Sequence, residues 1–501
     1  MRISNAIAPL VVASLLASRT ASADEPKTDA PKPIVELTSL RIMHEKGMLN
    51  DAEYESALKE ISESNGSHAP DSNTLVIGKF ATSLYGFIEA DAIYDSTQSY
   101  NEVQGQSQIA RAGSFAGDHD RTQMSVRNTR FGIRSMAPEY HGIRASGQLE
   151  MDFFGAQLPI APQGTASAAY NGTEAAFFTN PTFRARHLNL KVETPYVDML
   201  FGQYWALFGW GSMYHPNTVQ VQGVPGELYQ RNVQFRLFKT MKMSNGLVFE
   251  TAIAGLRPPQ RDSGVPEGQA GIRLSYEGWK GIGTFGSTNT IVQPASIAVT
   301  GDARQIRLPE LSATPKDVKH KTGTAIAVDA FLPVIPGSLD KKGNSLTLNG
   351  EFASGYGTAD LYTGLGGVGT AYPTLPNPTN LNPAPVYAPD IDPGIAQYDG
   401  AGGLHLIQWN SFLIGAQYYL PVMDGRFWVS GNYSHMTSAN VQRFGPPAKV
   451  RSDLDWFDVN FFADITPAVR SGIEYANTHD KYGDGTNAIN HRVQLSMFYI
   501  F

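Results

Sequence analysis

Regular alternation of apolar and polar side chains is the feature that most limits what this chain can fold into, and it is clearest over residues 490–501. Five residues of one parity are apolar: Val493, Leu495, Met497, Tyr499 and Phe501. Four residues of the other parity are polar: Asn490, Arg492, Gln494 and Ser496. Because successive side chains of a strand point to opposite faces, we predict a strand with one apolar and one wet face. Such a strand suits a barrel wall in a lipid bilayer, with Tyr499 and Phe501 as its membrane-insertion end at the interface.

The same alternation recurs along most of the chain from residue 84 onward. The regular stretches are 84–92, 143–154, 233–237, 247–253, 270–276, 346–352, 412–420, 427–433, 457–463 and 469–475. Less regular stretches are 124–136, 183–192, 197–208, 279–287 and 323–332. The parity slips inside 124–136 and inside 183–192, which predicts a β-bulge or a curled wall in each. With the terminal strand, these stretches predict sixteen strands, and a count of eighteen stays open.

The connections between these strands alternate between short and long. The short ones are 137–142, 194–196, 243–246, 277–278, 333–344, 421–425 and 466–467. The long ones are 96–120, 155–181, 209–228, 255–267, 288–321, 355–403, 437–452 and 477–489. Bacterial barrels have short periplasmic turns and long outer loops, whereas propellers and jelly rolls do not separate loop lengths in this way. We therefore predict an all-β fold, a 16-stranded antiparallel transmembrane β-barrel over residues 76–501.

Composition agrees with this fold class and excludes others. The 501 residues include no cysteine, which rules out a disulfide scaffold and thiolate chemistry. The net charge of −7 argues against nucleic-acid binding. After the first twenty residues no apolar run is long enough for a spanning helix. A membrane protein with 42% hydrophobic residues would therefore be a barrel, in which only every second residue meets lipid.

The first 75 residues differ from the rest of the chain. Residues 1–23 have the pattern of a cleavable signal peptide, with Arg2, an apolar core and a small-x-small site at 21–23. Residues 24–75 are predicted to be a periplasmic leader and linker containing a short α-helical pair. This leader is either a coiled-coil or tether segment, or a weakly ordered one. Together these features predict export to the bacterial outer membrane.

Sixteen strands make a cylinder too wide for side chains to fill, so we predict a water-filled channel for small hydrophilic solutes rather than an enzyme. The residues expected to line the pore and its constriction are Arg121, Arg127, Arg130, Arg134, Arg144, Glu150, Asp152, Arg184, Arg186, Arg236 and Arg273. Arginine stays charged and binds carboxylate or phosphate through a planar fork, so this set favours small anions. The alternative is that these arginines pair with the acids across the wall and only brace it.

The long connection 209–228 is expected to fold inward and narrow the pore, although it could also be an exposed loop. Its candidate constriction residues are Trp210, Met213, Tyr214 and His215. No cofactor or metal is predicted, and the expected partners are the lipid bilayer and small solutes. Two rival classes remain: an outer-membrane barrel enzyme, and a secreted all-β binding protein. The first needs Ser, His and an acid to converge, and the second would pack its apolar faces sheet on sheet.

Several motifs resemble those of trimeric outer-membrane porins, most closely the DcaP-like porins. The matching segments are LYGFI at 84–88, RNTRFGIR at 127–134, GQLEMDFFG at 147–155, RARH at 184–187 and FGQYW at 201–205. The resemblance implies a sixteen-stranded homotrimer with an inward third loop and an arginine-lined constriction that passes small, often anionic, solutes. The leader segment at 46–54 is also similar to phosphate-selective porins, so that channel type stays open.

Overall fold

The structure is a computed structural model that describes most of the chain from residue 74 onward. The described residues are 44, 74–77, 80–104, 109–155, 182–211, 213–220, 222–258, 263–310, 312, 315–365, 394–399, 401–443, 451–483 and 485–501. The signal peptide predicted at 1–23, and all but His44 and residues 74–75 of the leader predicted at 24–75, lie outside them. These two predictions therefore stay predictions.

The described part of the chain is almost entirely β-structure. Its strands are β1 Thr74–Ile77, β2 Phe80–Asp95, β3 Arg121–Ser125, β4 Arg130–Met136, β5 Arg144–Asp152, β6 Arg184–Glu193, β7 Asp198–Trp205, β8 Arg231–Lys242, β9 Leu247–Leu256, β10 Glu267–Phe285, β11 Asn289–Pro309, β12 Val318–Ile335, β13 Leu346–Tyr356, β14 Ala396–Tyr398, β15 Leu404–Leu406, β16 Gln408–Tyr419, β17 Phe427–Thr437, β18 Arg451–Asp464, β19 Val469–Tyr482 and β20 Asn487–Ile500. Four short 3₁₀ segments lie at Phe208–Trp210, Ala359–Leu361, Val422–Gly425 and Val441–Arg443. None of the helical segments that the structure describes is long and apolar enough to cross a membrane.

Neighbouring strands pair antiparallel from β2 to β20. Strand β20 also pairs with β2 along Phe87–Asp95, which closes the sheet. Strands β3 and β4 occupy one position, because both pair with β2. The short strand β1 also pairs with β2, and β14 with β15 forms a separate small hairpin. The result is a closed antiparallel barrel of sixteen positions, so the predicted fold class is confirmed.

The predicted count is right, but two errors in strand placement cancel. The alternation predicts two strands, 270–276 and 279–287, with a turn at 277–278, yet both belong to β10, which has only a register shift between Tyr276 and Lys280. The pattern also predicts a long loop over 288–321, yet most of this stretch is β11. Pro294 lies within β11, and proline in a run normally argues against a strand because it has no N–H for the ladder.

The two ends of the barrel carry different connections. One end has the turns 137–143, 194–197, 243–246, 286–288, 336–345, 420–426 and 465–468. The other end has the links 96–120, 153–183, 206–230, 257–266, 310–317, 357–407, 438–450 and 483–486. The links 310–317 and 483–486 are shorter than the turn 336–345, and the link 257–266 only equals it in length, so the predicted strict alternation of length is wrong at these three places. It fails there because β9 to β12, β19 and β20 extend further than their periodicity indicates.

The side-chain alternation places apolar residues outside the barrel and polar residues inside. In β20, Leu495 is 48% exposed on the outer surface, whereas its neighbour Ser496 is fully buried on the inner one. Both predicted parity slips are present. Pairing is interrupted between β3 and β4, and the β5–β6 register shifts between Glu150 and Met151, which leaves Arg186 as an extra residue.

Residues 206–230, here called the inward loop, cross the interior of the barrel. Near its start, Gly209 N donates to Thr300 Oγ1 of β11 over 3.0 Å. Further on, Thr218 Oγ1 donates to Glu474 Oε2 of β19 over 2.7 Å. These two contacts lie on walls six positions apart in the barrel order, so the loop spans the interior.

The outward face of β20 provides a test of membrane embedding. We expect Leu495→Arg, near the middle of the strand, to lower the free energy of unfolding in vesicles by about 2–4 kcal/mol, and Asn487→Arg on the same face near the loop end by about 0–1 kcal/mol, because the cost depends on depth in the bilayer. Denaturant titration of vesicle-embedded protein measures both values. Equal losses at the two positions would contradict this orientation.

Candidate functional site

The site lies on the inner surface of β4, β5 and β6, where arginines of β4 and β6 converge on two carboxylates of β5. The bulge at Arg186 matters here, because it turns Arg186 and His187 toward the interior in succession. Arg184 lies two residues before Arg186, and Arg130 of β4 faces Asp152 of β5 across the ladder. The local sequence therefore concentrates guanidinium groups around two carboxylates, Glu150 and Asp152.

Arg186 is held on several sides by this arrangement. Its Nε donates to Glu150 Oε1 over 2.8 Å and its Nη1 to Asp152 Oδ2 over 3.0 Å. Its Nη2 donates to the hydroxyl of Tyr229 over 3.2 Å. Arg184 binds Asp152 through both Nε and Nη2, over 2.9 and 2.6 Å. Such forked, charge-assisted pairs fix geometry strongly, so Arg184 and Arg186 brace the wall.

Arg130 and Arg134 are held much less tightly. The Nε of Arg130 lies 3.7 Å from Glu150 Oε1, and its Nε and Nη2 have no hydrogen-bond partner within the described part of the chain. Arg134 makes no ion pair with any described residue, and its guanidinium lies 4.4 Å from the ring centroid of Tyr85. Arg134 is exposed and can therefore offer N–H donors to a solute, whereas the unpartnered Nε and Nη2 of Arg130 are buried and this residue contributes positive charge to the cavity wall.

A cavity of about 470 Å³ opens beside these two arginines. Its walls include Tyr85, Tyr204, Trp205 and Tyr229 on the arginine side and Phe285, Thr288, Asn289 and Ile291 on the other. The last two residues, Ile500 and Phe501, also line it, which places the cavity toward the short-turn end of the barrel. It is large enough for a small solute, and its charged side chains include Arg130, Arg134 and Arg186 but, among the described residues, only one acid, Glu150.

The other predicted pore residues do not gather at this cavity. Arg127 is buried and paired with Glu102 at 3.2 Å, and Arg144 lies at the short-turn rim, 4.0 Å from Glu193. Arg273 pairs with Glu250 on the far side of β8. Arg121 donates to Gln123 over 2.5 Å, and Arg236 donates to the carbonyl of Trp205 over 2.6 Å.

The predicted constriction residues lie on the inward loop. The hydroxyl of Tyr214 donates to Ser296 over 3.1 Å and accepts from Arg273 Nε over 3.2 Å, so it fastens the loop to the wall. Met213 and His215 line the cavity, whereas Trp210 packs between hydrophobic groups away from it. The His215 imidazole contacts the carboxylate of Glu227 and lies 5.0 Å from the Trp205 ring.

Tyr229 and Arg231 belong to the site but were not predicted from the sequence. Arg231 Nη1 donates to the Tyr229 hydroxyl over 3.4 Å, and its guanidinium lies 4.9 Å from the Trp205 ring. Burial alone would raise the pKa of Tyr229, but the guanidinium groups of Arg186, Arg231 and Arg130 lower it to about 7. The available signal was the Tyr-x-Arg spacing at the start of β8, which places both groups beside the RARH segment.

Acidic groups lie across the interior from the arginines. Glu227 of the inward loop accepts from Val224 N over 2.9 Å, and Glu351 of β13 accepts from Leu228 N over 2.8 Å. Asp329 of β12 faces Glu351 in the ladder. The interior thus carries arginines on the β4–β8 side and buried carboxyl groups on the β12–β13 side.

The predicted membrane-insertion end is at the short-turn rim. Tyr499 is 51% exposed on the outer surface. The backbone of Phe501 exchanges two hydrogen bonds with Gly86 of β2, at 2.9 and 3.0 Å, so the terminal residue completes the seam between the first and last barrel strands. Glycine is required here, because a Cβ at position 86 would lie 2.2 Å from the Arg130 carbonyl oxygen.

Comparison with known proteins agrees with this architecture. No family model and no curated protein matches the chain. The crystal structure of the outer membrane channel DcaP of Acinetobacter baumannii is similar with a TM-score of 0.56 at 17% identity, over 85% of this chain and 99% of that chain. The anion-selective porin from Comamonas acidovorans has a TM-score of 0.44 at 10% identity, over 84% of this chain and 100% of that chain. Salmonella typhi OmpF in complex with daunomycin has a TM-score of 0.45 at 9% identity, over 85% of this chain and 100% of that chain.

The likeness to DcaP shows that this chain shares its fold with an outer-membrane channel. The two weaker likenesses carry no conclusion. The resemblance noted from the sequence motifs is thereby confirmed at the level of fold.

The difference between bracing and free arginines can be measured. We expect Arg186→Met to lower the free energy of unfolding by about 3–5 kcal/mol, because it leaves two buried carboxylates without their shared cation. The matched variant Arg134→Met removes an exposed, unpaired cation and is expected to change that free energy by less than about 0.5 kcal/mol. Denaturant titration in vesicles reports both, and similar losses for the two variants would contradict the assignment.

The titration of Tyr229 predicts a pH dependence of charge in the cavity. As the pH rises through about 7, the phenol becomes an anion beside the arginines. His215 acts in the same direction: burial alone would lower its pKa, but Glu227 raises it above the ordinary value, and at higher pH the imidazole loses its positive charge. In planar bilayers, the anion-to-cation permeability ratio should therefore fall as the pH rises through about 7.

Tyr229→Phe should flatten this profile around neutral pH and leave only the part contributed by His215. The control is Tyr204→Phe, another phenol of the same cavity, which should keep the full dependence. An unchanged profile in Tyr229→Phe would show that its phenol does not titrate in this range.

Proposed function

We propose that this protein is a bacterial outer-membrane porin through which small hydrophilic solutes diffuse passively. The observation that carries the proposal is the closed barrel with an apolar outer surface and, inside, a polar cavity lined by Arg130, Arg134 and Arg186. The apolar face suits hydrocarbon, and closure removes every free strand edge. The DcaP-like fold supports the same location.

Within that function, the channel favours small anions such as carboxylates or phosphate. Arg130 and Arg134 supply this preference, since their donors are not consumed by carboxylates of the wall. Arg184 and Arg186 hold Glu150 and Asp152 instead, so that these acids do not cancel the charge of the cavity. The two sequence-based alternatives, selectivity and bracing, thus apply to different members of one arginine set.

The inward loop completes the constriction on the outer side of the cavity. Met213 and His215 of the inward loop line the cavity, and the hydroxyl of Tyr214 anchors the loop to Ser296. The homotrimer and periplasmic leader implied by the sequence resemblance are part of the proposal. Chemical crosslinking of detergent-solubilised protein, analysed before and after boiling, tests the trimer, and a single monomeric band under both conditions would remove it.

The anion preference is tested by replacing Arg130 and Arg134. A unit charge at about 4 Å in water contributes about 1 kcal/mol, so each of Arg130→Gln and Arg134→Gln should lower the anion-to-cation permeability ratio about fivefold. Reversal potentials under a salt gradient across a planar bilayer measure that ratio.

The matched control is Arg144→Gln, which removes an arginine of the rim that already lies beside Glu193. It should shift the reversal potential far less. A double variant of Arg130 and Arg134 that keeps the wild-type potential would leave both residues as structural groups and would remove the proposed selectivity.

A further inference from the structure

The end of the β10–β11 hairpin leaves the barrel wall and enters the interior. In β10, Ile272, Leu274 and Tyr276 are exposed on the outer surface, as lipid-facing residues of a barrel are. After the register shift between Tyr276 and Lys280, residues 281–285 are all buried. A wall strand buries alternate residues, so burial of five in succession shows that both faces of this segment are covered. We call residues 281–293 the hairpin tip.

The hairpin tip reaches the opposite wall. The backbone N–H of Thr284 donates a hydrogen bond to Gln417 Oε1 of β16 over 3.0 Å. On β19, Arg470 Nη2 donates to Thr290 Oγ1 over 3.3 Å, and Nη1 of the same residue donates to the carbonyl of Ser287. Strand β19 is seven positions from β10 in the barrel order of sixteen, which is almost half the circumference. The contact between them therefore crosses the interior.

The tip also joins the inward loop. Gly286 N donates to the carbonyl of Pro216 over 3.0 Å, and Gln293 Nε2 donates to the carbonyl of Met213 over 3.2 Å. Two segments from different ends of the barrel thus meet inside it. The cavity described above lies between the tip and the arginine wall, with Phe285 and Ile291 on one side and Arg130 and Arg134 on the other.

The composition of the tip fits a narrowing element. Residues 281–293 read GIGTFGSTNTIVQ and carry no charge, so the tip reduces the open area without changing the sign of the field. Its glycines permit the close fit, because a Cβ at Gly281 would lie 2.4 Å from the Cβ of Pro333. An element that only braced the wall would not need to cover the face of the cavity opposite the arginines.

We propose that the hairpin tip is a second constriction of the pore, in series with the inward loop, and that it sets the size of the largest solute that passes. This inference rests on the proposed channel function. The arginines determine which charge is preferred, and the tip determines how much room remains beside them. Removing the tip should therefore change size discrimination and leave charge preference nearly unchanged.

A truncation tests this directly. Lys280 and Pro294 are cross-strand partners, so residues 281–293 can be replaced by Asn-Gly, a two-residue hairpin turn, together with Pro294→Thr to supply the N–H that closes the turn. Single-channel conductance should rise at least about twofold, and vesicles should admit larger neutral oligosaccharides in swelling assays, because pore diameter limits both. The reversal potential under a salt gradient should stay close to that of the wild type.

A second variant covers the case in which the truncated chain does not insert, judged by the gel mobility of unboiled protein. Phe285→Ala with Ile291→Ala widens the tip side of the cavity and should also raise conductance. Its control is Ile272→Ala with Leu274→Ala, a pair on the outer face of β10, which should leave conductance unchanged. Wild-type conductance in both the truncation and the Phe285/Ile291 variant would overturn the proposal.

A crosslink tests whether the hairpin tip contacts the inward loop in the membrane-embedded protein. The chain has no cysteine, so a Pro216→Cys, Gly286→Cys pair would form the only disulfide. Oxidation should give an intramolecular bond with conductance equal to that of the reduced protein. A bond that fails to form, or conductance that falls on oxidation, would overturn a fixed constriction. A wild-type protein that conducts nothing would instead defeat the porin proposal itself.

Discussion

Every part of this structure depends on the need to pair the edges of its sheet. A backbone N–H or C=O left unpaired in hydrocarbon costs several kcal/mol, so a sheet in a bilayer has no stable open form. Here the last strand pairs with β2, and the terminal Phe501 bonds to Gly86 at the seam. Once the ring is closed at sixteen positions, its diameter follows, and with it an interior that wall side chains alone cannot fill.

The interior is therefore occupied by segments inserted from both ends. The inward loop enters from the long-loop end and the hairpin tip from the short-turn end, and they meet at Gly286 and Pro216. Both are fixed mainly by side chains of the wall that accept from or donate to their backbone. Buried polar groups of the wall are thus satisfied by the inserted backbone, and the inserted backbone by the wall. What stays open is a cavity beside the arginines.

Much of the barrel could be predicted because lipid imposes a simple rule on alternate residues. The rule identified β20 and both parity slips, since each is visible in one strand alone. It failed at β10 and β11, where the tip is covered on both faces and alternation disappears, and where Pro294 argues against a strand. The hairpin tip is buried by the rest of the fold, and a single sequence does not show such burial. The apolar–polar alternation is therefore lost in the segment of the wall that enters the interior.

The same limit applies to the arginines. The sequence predicted which positions carry inward cations, but it could not distinguish a braced guanidinium from a free one. Arg186 and Arg130 lie on neighbouring parts of the wall, 2.8 Å and 3.7 Å from the same oxygen of Glu150. Arg186, the extra residue of the bulge, also binds Asp152.

A bulge in one strand thus separates two roles within one cluster. If Glu150 and Asp152 were equally shared among all the nearby arginines, every cation would be partly neutralised and none would face the cavity with its donors free. Because Arg184 and Arg186 make the close contacts to these carboxylates, Arg130 keeps only a longer ion pair, at 3.7 Å, and Arg134 makes none with the described residues. The cost is the burial of charged groups that must remain paired. The uncharged hairpin tip opposite then narrows the space without adding a competing charge, so the charge that a solute meets and the width that it meets are controlled by different segments of the chain.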